Sequence, residues 1–254
     1  MKRLIDLNAD AGESFGRWRL GQDERLLPLV SSVNVACGWH AGDPATMRGS
    51  VELARSGRTA LGAHPGLPDL AGFGRRSMRL SPQEAADACV YQYGALRAFA
   101  EGAGVDVHHV KPHGALYGLT LREPEIADAI ADAVTALGMI TVLLAGPTAD
   151  RAAARGARVA REAFADLEYD DGTIVIEPDP RPKDPRACAE KALGVLRGEV
   201  VSTTGARIAV DADTICIHGD RPNAPEIAEE IIRAFEAEGV RMAPMAEVLA
   251  ARGA

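Results

Sequence analysis

The 254-residue sequence predicts an α/β fold closed into a parallel (β/α) barrel, with residues 1–254 as a single domain. Short apolar runs alternate with helical patterns along the whole chain, and strands joined by single helices imply right-handed crossovers and a parallel sheet. Seven or eight such units fit in a length that is usual for one barrel. Five of the apolar runs end in polar residues followed by a turn, as strands do when their carboxyl ends line a common site. A doubly wound open sheet is the alternative topology. No shift of composition marks a linker.

In chain order, strand-like runs fall near 3–8, 32–37, 59–64, 107–112, 140–145, 158–163, 213–218 and 239–243. The helices between them are punctuated. Asp43-Pro44 opens one that Gly57 closes. Ser81-Pro82-Gln83-Glu84 is a capping box with Pro at the first helical position, and its helix runs to about Gly102. Pro124 begins a third that ends at Gly138, Asp184-Pro185 a fourth that ends at Gly198, and Asn223 with Glu226 a fifth closed by Gly239. Residues 199–210 read as a small hairpin around Gly205, and the Asp- and Pro-rich segment 166–185 as a surface loop near the strand ends.

Composition narrows the partners. Aromatics make up only 4% of the chain, so Ala, Val, Leu and Ile must fill the core. The net charge of −8, with no basic tract, argues against nucleic acid and anionic membranes, but leaves an anionic small molecule open. Cys37, Cys89, Cys188 and Cys216 form no CxxC pair, so a reduced setting is expected. With no signal-peptide core and no run long enough to span a bilayer, the expected location is cytoplasmic.

Five stretches carry chemistry. In Asp6–Glu13, alternation puts Asp6, Asn8 and Asp10 on one strand face, with Glu13 beyond; three inward polar groups exceed what a turn requires. His40 follows Cys37-Gly38-Trp39 as a base or metal ligand, and Asp43 serves mainly as a helix cap. His64 lies in Gly62–Gly66 ahead of Arg75 and Arg76, either of which can grip a carboxylate, although solvated arginines are the plainer reading. In His108–Tyr117, His109, Lys111 and His113 share a face. A lysine inside a barrel mouth suits a developing oxyanion, while His108 reads as structural. Finally, His218 and Asp220 can share a face, where a carboxylate would fix the imidazole tautomer. No P-loop, GxGxxG, HExxH or GxSxG pattern is present.

With these residues in view, the chain resembles the LamB/YcsF family. The resemblance rests on DLNADAGESFG (6–16), NVACGWHAGDP (34–44), GAHPGLPDLAGFGRR (62–76), YQYGAL (91–96), VKPHGALY (110–117), FAD (164–166) and ADTICIHGD (212–220), in family order. It implies a seven-stranded barrel of the glycoside hydrolase/deacetylase kind. It also implies the activity of a 5-oxoprolinase of the ATP-hydrolysing kind, in which this chain is the A component. Such an enzyme cleaves 5-oxo-L-proline to L-glutamate with ATP as co-substrate, and its A component works with B and C subunits. The candidate catalytic residues are then Asp10, His40, His64, Lys111, His113 and His218. One imidazole would act as base, with Asp10 or Asp220 orienting it. The candidate substrate-binding residues are Asn8, Glu13, Arg75, Arg76, Tyr117, Asp166 and Asp220. A divalent metal held by the Asp and His groups is one alternative, and a non-catalytic, substrate-presenting role is another. The chain departs from the family after Phe-Ala-Asp. Leu167 stands where an Arg is usual, Tyr169, Asp171 and Gly172 are kept, and the shortened continuation Ile174–Pro180 carries Glu177 in place of a second arginine. A different cyclic amide, or a reduced activity, follows if those arginines hold substrate or a partner.

Overall fold

The computed structural model describes residues 3–170, 173–177 and 179–253, so Asp171, Gly172 and Pro178 of the altered loop lie outside the described residues. Seven parallel strands form the barrel: β1 (Leu4–Ala11), β2 (Ser32–Ala36), β3 (Ala60–His64), β4 (Val107–Val110), β5 (Ile140–Leu144), β6 (Val159–Phe164) and β7 (Thr214–Ile217). Neighbours in sequence are neighbours in space, and β7 pairs with β1 to close the ring, which removes the open-sheet alternative. The run near 239–243 is not a further stave. Arg241 and Met242 pair only with Leu4 and Ile5 at the start of β1, before β7 takes over that edge at Asp6.

The expected helices are present as Pro44–Gly57, Pro82–Ala103, Pro124–Ala136, Pro185–Arg197 and Ala224–Ala237. Asp43 caps the first by accepting from the Ala45 and Thr46 N–H groups, and the Ser81–Glu84 capping box is complete. Asn223 does not cap the last of them. Its side chain instead exchanges two hydrogen bonds with the Lys183 backbone. Three further helices, Gly114–Arg122, Pro147–Ala154 and Met245–Arg252, complete the shell, with a single turn at Asp23–Leu26. The Met245–Arg252 helix seats Met245 and Leu249 against Ile140, Val142 and Ala160, and so plugs the amino-terminal end of the barrel. The hairpin forms between Glu199–Val201 and Arg207–Ala209. Among the described residues, no helix is long and apolar enough to cross a membrane.

Above that plug, one side of the barrel interior is polar, and most of its groups pair with one another. At the lowest level Asp6 accepts from Ser31, Ser32 and Thr214. Burial outweighs those bonds and pushes its carboxyl up to about 6. One level up, Asn8 donates to Glu162 and Thr214, Asn34 donates to Asn8, and His109 donates to Asn34 Oδ1 at 2.8 Å. Burial drives His109 down to about 3, with repulsion from His108 and Lys111 adding to it, so its ring is neutral. A Cβ on Gly62 would lie 2.0 Å from His109 Nε2. Gly62→Ala is therefore expected to lower stability by about 1–3 kcal/mol through overpacking. Urea unfolding checks this; a change below about 0.5 kcal/mol would show that the His109 layer is loose.

Candidate active site

The open, carboxyl-terminal end of the barrel gathers the polar strand ends. Lys111, just past β4, reaches across the mouth and is only 2% exposed. Its ammonium lies 2.9 Å from Asp10 Oδ1, 3.0 Å from Glu162 Oε1 and 2.8 Å from Cys216 Sγ. Burial alone would discharge it, but Asp10, the Cys216 sulfur and Glu162 outweigh that and hold its pKa well above the ordinary lysine value. Asp10 shows the reciprocal balance. Burial raises its carboxyl, while His64, Lys111 and His218 bring it well below the usual range.

Four imidazoles and one acid surround this centre. His64 donates from Nδ1 to the Lys111 carbonyl at 2.7 Å, and its Nε2 lies 3.5 Å from Asp10 Oδ2. His113 donates from Nε2 to the Phe73 carbonyl at 2.8 Å and turns Nδ1 toward His64 Nε2 at 3.1 Å. His40 stacks on His113 with ring centroids 3.7 Å apart, fully buried, and neither of its nitrogens has a hydrogen-bond partner among the described residues. Burial first, then repulsion among the rings, holds His40 and His113 well below the usual imidazole range. Glu13 Oε1 sits 3.8 Å from both His40 Nε2 and His113 Nδ1. Burial and the neighbouring Asp220 and Asp10 carboxylates raise Glu13 well above its ordinary value.

His218 closes the other side. Its Nδ1 lies 3.0 Å from Asp166 Oδ1, its ring stacks on Phe164, and Nε2 faces Asp10 Oδ2 at 3.9 Å. Burial lowers its pKa, Asp166 more than restores it, and the net shift is upward. Asp166 is itself buried. The partnership with His218 and Arg221 overcomes that burial and lowers its carboxyl.

The sequence-predicted residues thus divide. Asp10, His64, Arg75, Lys111, His113, Tyr117, His218 and Asp220 line one pocket, and Glu13 and His40 back it through the histidine cluster. Asn8 lies a level below, engaged by Glu162, Thr214 and Asn34. Arg76 points away, pairing with Asp69 while its side chain stays 65% exposed. Asp220 does not orient His218. It pairs with Arg75 at 2.6 Å, and Asp166 takes the imidazole because the end of β6 lies beside the end of β7. His108 is exposed at the far side of β4. Glu162 is absent from the expected set, yet alternation in Val159–Phe164 puts Ala160, Glu162 and Phe164 on one face, the same signal that marks Asp10. Arg221, buried against Asp166, carries no comparable signal.

The sequence profile of the LamB/YcsF family matches residues 5–250. The chain belongs to the LamB/YcsF family. It is 46% identical over 254 residues to the 5-oxoprolinase A chain of Pyrococcus furiosus, covering 96% of this chain and 99% of that one. It is 48% identical over 255 residues to the protein of the same name from Methylococcus capsulatus, covering 96% and 97%. The solved lactam utilization protein of Thermus thermophilus superposes with a TM-score of 0.86 at 46% identity, over 96% of this chain and 99% of that one. A peptidoglycan N-acetylglucosamine deacetylase shares the fold at TM-score 0.51 and 14% identity, over 97% of this chain and 87% of that one.

Within this LamB/YcsF chain, the departures from the motif fall on the pocket's outer wall. Leu167, Ile174, Ile176, Glu177 and Pro180 line it, brought there by the short ribbon of Glu168–Asp170 against Thr173–Val175. Leu167 presents an apolar side chain, and its carbonyl accepts from the Lys191 ammonium. Glu177 pairs with Lys183 at 2.6 Å and with Arg221 at 3.2 Å. The acid at 177 therefore ties this wall to the base of the His218 loop. Described residues of the expected surface loop near the strand ends thus form a wall of the site.

Proposed function

We propose that this chain is the lactam-opening component of an ATP-dependent 5-oxoprolinase, acting in the cytoplasm with B and C subunits on 5-oxo-L-proline. The names of its relatives support the reading. The observation that carries it is the fixed Lys111 ammonium between Asp10 and Glu162, with His64, His113 and His218 around it and Arg75 at the rim.

A five-membered lactam is a stable amide. Transfer of the ATP γ-phosphoryl group to its oxygen makes C5 electrophilic. Water then adds at C5, the ring C–N bond breaks with the nitrogen taking a proton, and a second water releases phosphate from the acyl phosphate left behind. Lys111 is placed to stabilise the charge that develops on oxygen. His218, held by Asp166 and raised in pKa, is placed to give the leaving nitrogen its proton. Asp10, whose Oδ2 lies beside the His64 ring, is the group we assign to accept the proton of the attacking water. Arg75 is placed to hold the substrate carboxylate, with Asp220 and the Phe73 ring fixing its guanidinium.

Reconstitution with B and C subunits tests the whole reading. Glutamate and ADP are expected in equal amounts only when this chain is present, and glutamate formation by the partners alone would overturn it. Arg75→Gln is expected to raise KM for 5-oxoproline about 10- to 100-fold with little change in kcat, the effect of one lost charge-assisted contact. Arg76→Gln is expected to change neither. Equal effects of the two substitutions would remove the carboxylate role.

A further inference from the structure

We propose that Glu13, His64 and His113 form a binding site for one divalent transition cation, of the zinc or cobalt class, with His40 packed as its inner wall. The donor atoms are already oriented. His64 and His113 each give their remote ring nitrogen to a backbone carbonyl, Lys111 O and Phe73 O, at 2.7 and 2.8 Å. That fixes both tautomers and turns two lone pairs toward each other, the outer-shell arrangement that metal-ligating histidines show. The facing nitrogens are 3.1 Å apart. Two ligand bonds of about 2.0–2.1 Å near the tetrahedral angle place donors about 3.3 Å apart, so little movement is needed. Glu13 Oε1, 3.8 Å from His113 Nδ1, supplies the third donor, losing its proton to solvent as the cation binds.

His40 is the independent sign. A fully buried imidazole with both nitrogens unpartnered is costly on its own, and its Nε2 faces Glu13 at 3.8 Å. Its ring lies parallel to His113, tilted by 6°, so a cation in the plane of His113 is outside that of His40. His40 therefore reaches the cation only by turning. The neighbouring group of Asp10, Cys216 and His218 is a poorer candidate, because the Lys111 ammonium lies against its acid and its thiol and repels a cation there. Two imidazoles and one carboxylate, with room for water or a substrate oxygen, suit a borderline cation that polarises a carbonyl.

The test is made without substrate, so its outcome is independent of the lactam reading. The full chain is stripped with chelator and titrated with zinc against a chromophoric competitor, and with cobalt by its visible absorption. One cation per chain is expected, with affinity falling about 100-fold or more in His64→Gln, His113→Gln and Glu13→Gln and unchanged in His108→Gln. Nitrogen NMR of the wild-type histidines provides a second readout should those variants fail to fold. His64 Nε2 and His113 Nδ1 are expected to be unprotonated and to shift on adding zinc. Absence of saturable binding, affinity unchanged in folded His64→Gln and His113→Gln, or a proton on His64 Nε2 that survives excess zinc would overturn the site.

Discussion

Lys111→Met is expected to lower turnover of the reconstituted enzyme about 10²- to 10³-fold and to destabilise the chain at the same time. Both effects come from one position. Lys111 supplies the one ammonium in contact with Asp10, Glu162 and Cys216 among the described residues. Its removal leaves Asp10 and Glu162 buried without their counter-charge, and breaking a buried pair in this way costs about 3–5 kcal/mol. The pH dependence separates this electrostatic loss from lost packing. Asp10 has a depressed pKa in the folded wild type, so its contribution is present above the unfolded carboxylate pKa and lost as pH falls through the folded value. Without Lys111 that depression weakens and burial favours the protonated acid. The stability gap between variant and wild type should therefore narrow as pH falls. Urea unfolding at about pH 8 and at about pH 4, close to the unfolded carboxylate value, measures it. A gap of constant size would mean that Lys111 matters for its methylenes, and turnover within about tenfold of wild type would remove its catalytic role.

Most of the barrel was legible because its strands are buried on both faces and read as short apolar runs between Gly and Pro punctuation. The seven staves and five long helices follow from that pattern. The Gly114–Arg122 helix was not legible: it starts on a glycine directly after His113 and carries a second glycine at 118, so propensity argues against it while its buried face holds it in place. Met245–Arg252 is short and plugs the barrel floor, a role with no local signature. At the site, alternation put Asp10 on an inward face and grouped Lys111 with His113, and these three line one pocket. It could not say at which depth an inward group sits. Asp6 and Asn8 share the face of Asp10 yet lie below the pocket, engaged by Ser32, Thr214 and Asn34. Nor could spacing along one segment decide pairing across strands. Asp220, two residues from His218, lost the imidazole to Asp166, which is 52 residues away in sequence. Side-chain reach across adjacent stave ends decides such pairs.

That pairing sets the second large effect. His218→Gln is expected to lower kcat about 10²- to 10⁴-fold, the range for loss of a positioned proton donor. Asp166→Asn is the more discriminating change. A general acid must be protonated, so activity falls on the alkaline side as pH rises through the His218 pKa. Asp166 gives the strongest upward push on that pKa, and its neutralisation should move the alkaline limb of kcat/KM to lower pH. The same shift has a stability counterpart. A histidine raised in the folded state contributes stability that is fully present below its unfolded pKa of about 6.5 and lost as pH rises through the folded value. Asp166→Asn should therefore lose most stability on the acidic side of that window and progressively less above it. Arg221 complicates the variant, because it also leans on Asp166 at 2.9 Å. Glu177→Gln separates the two influences: it loosens Arg221 and the outer wall without touching His218. Its alkaline limb should stay with wild type while KM rises. If Asp166→Asn leaves the limb in place, or if Glu177→Gln moves it equally, His218 is not the group that protonates the leaving nitrogen, and the proton must come from the His64 side of Asp10.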